Sequence, residues 1–279
     1  VIIEVFMYML HGWLGDPVVP GWITPTLPFT LAYLNGFEKG PDRIQAMIAL
    51  QLLVAFVFIF MGITKLADKF VNGVPNSIKG GILIAAPITV LQGQLSDGSQ
   101  LMTAPVATLA GTLLLAFLSF SPFCEKNRSK YKILDIMAKY GNLFPYLIAM
   151  VAGVALGELS KPVLELGTVI RIPDFSNIFH TVSIFAVGFP PLSKFISAIP
   201  LALICYVLAF GDFVTSKTLV EEAQESRSDE YIDFNSSRSN LISGLRNLIL
   251  AIFAPFPPLA GPLWVGMTVS VAMRYKEGK

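Results

Sequence analysis

Six long intervals of the chain are free of charged residues and mostly apolar. They are Ile44 to Thr64, Gly80 to Ser96, Gly98 to Cys124, Tyr140 to Gly157, Phe195 to Gly211 and Asn247 to Met273. A membrane span needs about 20 apolar residues, and fewer where it is broken or shielded. The pattern predicts helices near Arg43–Ala67, Val74–Leu95, Leu101–Phe123, Asn142–Gly157, Ile196–Leu219 and Asn240–Ala254. With one broken segment at each end of this series, we expect eight crossings, and residues before His11 close one further helix.

The two broken segments are apolar but punctuated by proline and glycine. Pro17 to Tyr33 and Pro255 to Met273 each begin as an extended run and continue as a short helical run. Proline and glycine stop helices and allow extended backbone. The residues concerned are Pro20, Gly21, Pro25, Pro28, Pro257, Pro258, Gly261 and Pro262. A helix that is merely kinked by proline is the alternative interpretation.

Unwound backbone inside a bilayer is tolerated only where protein or a water-filled cavity satisfies its N–H and C=O groups. The helical halves, starting near Thr26 and near Leu263, are expected to be antiparallel with their amino termini facing each other. Each amino terminus has unsatisfied N–H groups and about half a positive charge. The pair therefore predicts a polar cradle for a solute.

Composition places the chain in lipid and excludes several classes of protein. Hydrophobic residues make up 54%, charged residues 14%, and the mean hydropathy is +0.65. The net charge of +1, without a basic stripe, excludes nucleic acid as a partner. Cys124 and Cys205 lack metal or redox spacing, and no nucleotide-binding glycine loop is present. We expect no cofactor and no metal, and energy coupling from a proton or other ion gradient.

Loops rich in lysine and arginine alternate along the chain with loops that contain few of them. This is the pattern of an integral, multi-pass protein of the inner or plasma membrane. Fifteen of the twenty fall on one side, which is then cytoplasmic and includes the C-terminal end of this chain. This count assigns Arg246 to a cytoplasmic loop with Lys217, Arg227 and Arg238. Because the chain opens within an apolar run, we expect it to be incomplete at both ends.

Three stretches carry a family resemblance. They are GFPPLS from Gly188 with SAIPLAL from Ser197 and FGDF from Phe210, SNLISGLRNLI from Ser239 followed by Phe253 and Pro257, and VPNSIKGGI from Val74. In this order, the three stretches resemble three parts of the nucleobase–ascorbate (xanthine/uracil permease) family. These parts are the eighth helix, the ninth helix with its entry into the broken tenth helix, and the start of the fifth helix. The related sulfate permease family shares these features.

The resemblance implies an all-α polytopic fold: part of a transporter with seven plus seven helices in inverted repeats and two broken helices carrying short extended segments. The chain would then be a single transmembrane domain, residues 1–279, holding the second to the tenth helices. Core elements would lie near 13–34, 74–95, 190–223 and 255–273. Gate elements would lie near 101–157.

Asp212 is the main candidate site residue. It follows a charge-free run, on the helix whose family counterpart carries a substrate-facing carboxylate, although here Asp stands where Glu is common. An ionisable group inside lipid is a functional hypothesis by default. We expect Asp212 to bind substrate and to exchange the coupling proton. The alternative is a helix-end carboxylate near the headgroups beside Lys217.

The other candidates for substrate binding surround the two breaks. Trp22, Thr24 and Thr26 lie at the first break, and Ala260, Gly261 and Leu263 could offer backbone N–H groups at the second. Trp22 can equally be a packing residue. Asn247, one turn beyond Ser243, could bond the unwound backbone or the solute, although helix-to-helix hydrogen bonding is the commoner use of such residues.

Two transport functions and one enzymatic function are compatible with a membrane protein of this kind. The first is a proton-coupled symporter of a nucleobase such as xanthine or uracil. The alternative is a permease for sulfate, molybdate or bicarbonate, for which the breaks lack any Lys or Arg and leave the charge to helix dipoles. A membrane enzyme would need a second buried carboxylate, a nucleophile with a base, or a metal cluster, so we expect no enzyme. Expected partners are the solute, a proton or other coupling ion, the lipid bilayer and, potentially, a second copy in a homodimer.

Overall fold

The computed structural model describes residues 2–73, 98–128, 130–141, 143–161 and 175–278, with residues 75, 77, 81, 84, 88 and 91–95. The predicted helix Val74–Leu95 lies largely outside these residues. The chain forms two compact units, the first made of Val1–Ala86 with Ile172–Lys279 and the second of Pro87–Arg171. The residues expected for the gate, 101–157, fall within the second unit.

The first unit opens with two helices separated by an extended segment. Helix α1 spans Ile2–Trp13, strand β1 spans Gly21–Trp22, a 3-10 turn spans Thr24–Thr26 and α2 spans Leu27–Asn35. Helices α3, Pro41–Ile63, and α4, Leu66–Gly73, follow. The first predicted break is therefore observed, and α2 begins one residue after the predicted position.

The second unit is built on two apolar helices. Its elements are α5 Gln100–Thr103, α6 Pro105–Phe120, α7 Pro122–Asn127, α8 Lys132–Lys139 and α9 Leu143–Ala155. Helices α6 and α9 meet at glycines, since a Cβ on Gly111 would lie 3.0 Å from the Cβ of Ala149. The Glu158 carboxylate accepts hydrogen bonds from the N–H groups of Val106 and Ala107, at 2.9 and 2.8 Å, and so satisfies the start of α6.

The remainder of the first unit carries the longest helix and the second break. Its elements are α10 Phe175–Thr181, α11 Ile184–Val187, α12 Leu192–Glu225, α13 Ser236–Phe253, β2 Ala260–Gly261 and α14 Val265–Glu277. Helix α12 is longer than the predicted Ile196–Leu219. The second break is observed as well, with α14 beginning two residues after the predicted position.

Helix α3 is the centre of the first unit because it packs against both α12 and α13. Phe58 on α3 is fully buried, and its ring meets those of Tyr206 and Phe213 on α12 edge to face, at 5.3 and 5.9 Å. One turn further along α3, Gly62, together with Gly244 on α13, lets α3 and α13 approach each other closely. This arrangement packs both α12 and α13 against α3 and so positions the segment that follows α13.

Two of the described helices are long and apolar enough to cross a membrane. They are α3, with a mean hydropathy of 2.6, and α12, with 2.0; α6 and α9 are apolar but shorter. The all-α class is confirmed, and the described residues contain one pair of two-residue strands. The eight-crossing arrangement stays a prediction.

Gly244→Ala should lower the thermal stability of the protein. The added methyl would lie 3.0 Å from the backbone nitrogen of Ile59 and 3.1 Å from the carbonyl oxygen of Ala55, and backbone atoms cannot turn aside. Overpacking of this kind costs about 1–3 kcal/mol. Melting in detergent micelles measures the effect, with Gly73→Ala as the control because nothing lies within 4 Å of its Cβ position. Equal melting temperatures for the two variants would contradict the close packing of α3 on α13.

Candidate functional site

The two breaks are joined to each other as a pair of antiparallel strands. Gly21 lies opposite Gly261, and Trp22 lies opposite Ala260. The pairing continues beyond the strands, because the Ile23 N–H donates to the Leu259 carbonyl at 2.9 Å, and the Trp264 N–H donates to the Val19 carbonyl at 2.7 Å. Each break therefore satisfies part of the unwound backbone of the other.

Glycine is required where the two backbones approach most closely. A Cβ on Gly21 would lie 2.4 Å from the carbonyl oxygen of Leu263, and one on Gly261 would lie 2.9 Å from the nitrogen of Ile23. No real Cβ contact is that short, so a side chain at either position would push the strands apart. The glycines predicted to permit extended backbone thus also set the distance between the two breaks.

Asn247 on α13 holds the second break from its other side. Its amide accepts a hydrogen bond from the Ala260 N–H at 3.0 Å and donates to the Ala260 carbonyl at 2.8 Å, in the manner of a neighbouring strand. Gln51 on α3 donates to the Asn247 oxygen at 3.3 Å and accepts from the Phe256 N–H at 3.1 Å. Of the roles considered for Asn247, two are observed: it bonds the unwound backbone, and through Gln51 it also makes a helix-to-helix hydrogen bond. The Ala260 N–H is occupied by this contact and is not open to a solute.

Arg246, beside Asn247, lies under both strands. Its side chain is fully buried, and its guanidinium donates to the Gly261 carbonyl at 2.8 Å and to the Gly21 carbonyl at 3.3 Å. The assignment of Arg246 to a cytoplasmic loop is wrong, because the residue lies inside α13. The broken segments themselves contain no Lys or Arg, but Arg246 brings a guanidinium to both of them, so the expectation that helix dipoles alone supply positive charge there is wrong. The charge count could not reveal this, since it treats every arginine as a loop residue.

The charge of Arg246 is balanced by groups from the start of the chain. The Glu4 carboxylate accepts from its guanidinium at 3.2 Å and from the indole N–H of Trp22 at 3.0 Å. The ring of Tyr8 lies 4.9 Å from the guanidinium carbon. The Nε2 atom of His11 lies 3.4 Å from the guanidinium, and its Nδ1 atom lies 2.8 Å from the Asp16 carboxylate. We call Glu4, Tyr8, His11, Asp16 and Arg246 the buried charge cluster.

The short helices after the strands begin without capping side chains. In the described part of the chain, no side chain hydrogen-bonds the first turn of α2 or of α14. The exposed residues Trp264, Val265 and Gly266 surround the start of α14. Uncapped first-turn N–H groups can bind acceptor atoms of a ligand, and the helix dipole favours negative charge there. At the start of α2 the Leu27 N–H donates to the Thr24 carbonyl and Pro28 has no N–H, so the exposed start of α14 is the part of the breaks that presents hydrogen-bond donors.

Asp212 lies within α12, well before the helix ends at Glu225. Its carboxylate is half-buried and has no hydrogen-bond or salt-bridge partner among the described residues. Lys217 instead pairs with Glu221 on the next turn, at 3.5 Å, and bonds the Asn72 side chain. The helix-end position proposed as the alternative for Asp212 is therefore not observed.

The remaining candidates divide into exposed and buried positions. Trp22 and Thr24 are exposed on the first break, whereas the Thr26 hydroxyl is buried and donates to the Ile23 carbonyl at 2.7 Å. Leu263 is buried against Val18 and Val220. The strand pair thus brings together every candidate near the breaks, but no described hydrogen bond or ion pair links them to Asp212.

No protein-family model matches the chain, and a comparison with curated proteins finds no match.

Gly21→Ala should open the strand pair. The methyl would meet the Leu263 carbonyl oxygen at 2.4 Å, so one backbone must move. We expect hydrogen exchange of residues 19–23 and 259–264 to accelerate by about tenfold or more, measured by mass spectrometry. Gly266→Ala is the matched control, since the nearest atom to its Cβ position, Nε1 of Trp264, is 3.9 Å away. Unchanged exchange in the Gly21 variant would contradict the observed register.

Asn247→Ala should destabilise the protein by removing both bonds to Ala260. Each buried backbone group left without a partner costs about 1–3 kcal/mol. Thermal melting in detergent should therefore show a clear decrease. Asn35→Ala, at the exposed end of α2, is the control and should melt like the parent protein. A parent-like melting temperature for the Asn247 variant would show that the second break has other support.

Proposed function

We propose that the chain forms part of a secondary active membrane transporter for a small polar solute. The observation that carries this proposal is the strand pair, in which two unwound segments hydrogen-bond to each other and each leads into a short uncapped helix. Such backbone is costly in an apolar protein and is used where it lines a solute site. The apolar α3 and α12, which flank the breaks, supply helices of membrane-spanning length.

The finer architecture that we propose is a partial seven-plus-seven inverted repeat in a multi-pass protein. The two breaks would enter the membrane from opposite sides, which agrees with the antiparallel direction of β1 and β2. The basic C-terminal end of the chain, with Arg274 and Lys276, would then face the cytoplasm.

A nucleobase is the solute class that suits a donor-rich cradle combined with a carboxylate. The carbonyl edges of xanthine or uracil would accept hydrogen bonds from the start of α14 and from the O–H of a protonated carboxyl group, while a ring N–H would donate to the other oxygen of that carboxyl group. Asp212 is the proposed carboxylate, because it is half-buried and lacks a described partner. It would also carry the coupling proton.

An oxyanion such as sulfate, molybdate or bicarbonate is the second candidate solute. Two observations favour it: neither 17–28 nor 255–267 contains an acidic residue, and both helices start without a capping side chain. Arg246 places a guanidinium behind the strands, and the neighbouring Glu4 carboxylate offsets its charge. This solute would be held by backbone N–H groups, with Asp212 outside the contact.

Asp212→Asn tests the choice between the two solutes. Proteoliposomes containing the protein would be given radiolabelled xanthine, uracil, sulfate, molybdate or bicarbonate, with and without an imposed proton gradient. For a nucleobase symporter, the variant should lose gradient-driven uptake by about tenfold or more, since an amide cannot exchange the proton. An oxyanion permease should retain its uptake in the variant.

The control is Asp135→Asn, which neutralises an exposed carboxylate in the second unit. It should transport like the parent protein in every condition. Failure of the parent protein to take up any of the five probes above an empty-liposome background would count against transport of these classes. Nucleobase uptake that is unaltered in the Asp212 variant would remove the proposed proton role.

A further inference from the structure

His11 is held between a carboxylate and a guanidinium in a fully buried position. Its Nδ1 atom lies 2.8 Å from Asp16, and its Nε2 atom lies 3.4 Å from Nη1 of Arg246. A guanidinium can only donate hydrogen bonds, so Nε2 must present its lone pair to Arg246. The geometry therefore fixes His11 as the neutral tautomer with the proton on Nδ1, donating to Asp16.

The same Arg246 nitrogen that faces His11 also binds the second break. Nη1 donates to the Gly261 carbonyl, while Nη2 donates to the Gly21 carbonyl and to Glu4. Any movement of the guanidinium away from His11 therefore changes its hold on both strands. His11 is in this way connected to the cradle through a single side chain.

The buried charge cluster has capacity for one further proton. With His11 neutral, the carboxylates of Glu4 and Asp16 exceed the one charge of Arg246 by one unit, and Tyr8 contributes a neutral phenol. Within the described part of the chain, Oε2 of Glu4 and Oδ1 of Asp16 are buried without a hydrogen-bond partner. A buried cluster whose charges do not cancel is unfavourable, and the uptake of one proton makes this cluster neutral.

We propose that His11 is a second proton-binding site, distinct from Asp212, and that its occupation weakens the hold of Arg246 on the strand pair. A proton taken from the aqueous phase bonds to Nε2, whose N–H then points at the N–H groups of Arg246. Two cations without an acceptor between them repel each other, so the guanidinium withdraws from the Gly21 and Gly261 carbonyls. A role of this site in coupling rests on the proposed transport function. The effect of His11 protonation on the strand pair does not depend on transport.

The test uses the fact that the chain has only two histidines, His11 and His180. His180 is exposed at the end of α10, so His180→Gln leaves a single imidazole to observe. In this variant, ¹⁵N-histidine NMR should show Nδ1 protonated and Nε2 unprotonated at neutral pH. On acidification, His11 should titrate, and hydrogen exchange of residues 19–23 and 259–261 should accelerate by about tenfold or more as the hydrogen bonds of Arg246 to the Gly21 and Gly261 carbonyls are lost.

His11→Gln is the decisive comparison, because glutamine can bond both neighbours but does not titrate in this range. Its strand exchange, corrected for the intrinsic pH dependence of amide exchange, should be independent of pH, whereas that of His180→Gln should follow the parent protein. The inference is overturned by an Nε2-protonated tautomer at neutral pH, by titration of His11 without faster strand exchange, or by the same pH response in His11→Gln. The NMR result stands even if the glutamine variant fails to fold. If hydrogen exchange of the strand pair responds to pH but the protein transports none of the probes, the proton site is supported and the transport proposal is rejected.

Discussion

Unwound backbone in an apolar surrounding must find hydrogen-bond partners, and this requirement organises the first unit. The two breaks satisfy each other along their facing edges, but each also has groups that point away from the partner strand. Helix α13 supplies the missing partners through Arg246 and Asn247. The close packing of α3 on α13, through Gly244, brings Gln51 into the same network. The sheet of only two residues per strand is thus stabilised by side chains as much as by its own pairing.

Placing a guanidinium under the strands has an electrostatic consequence. A buried cation without a counter-charge is strongly unfavourable, and removal of one member of a buried pair costs about 3–5 kcal/mol. Glu4 supplies the counter-charge from α1, which explains why the start of the chain packs against α13. Glu4 also bonds Trp22, so the same carboxylate neutralises Arg246 and fixes a side chain of the first strand. Removal of Glu4 would therefore disturb both charge balance and strand position.

The sequence was sufficient to place the breaks but not to identify what holds them. Proline and glycine have direct effects on local backbone, so the starts of α2 and α14 were predicted within two residues. The contacts of Arg246 join residues as far apart as 242 positions, and no local pattern reports them. The helical spacing from Ser243 to Asn247 marks a polar face on α13, whereas a count of charges alone places Arg246 in a loop. Its position between the polar Ser243 and Asn247 was the signal available in the sequence.

The two proposed proton sites act on solute binding with opposite signs. A proton on Asp212 would favour a solute that bonds there, whereas a proton on His11 would loosen the cradle and weaken binding. Linkage is reciprocal, so a solute that binds the closed strand pair must itself lower the affinity of His11 for its proton. Solute entry would then be accompanied by uptake of a proton at Asp212 and release of one at His11. The net number of protons carried per solute depends on whether the two protons exchange with the same side of the membrane, and separate variants of Asp212 and His11 resolve these two contributions.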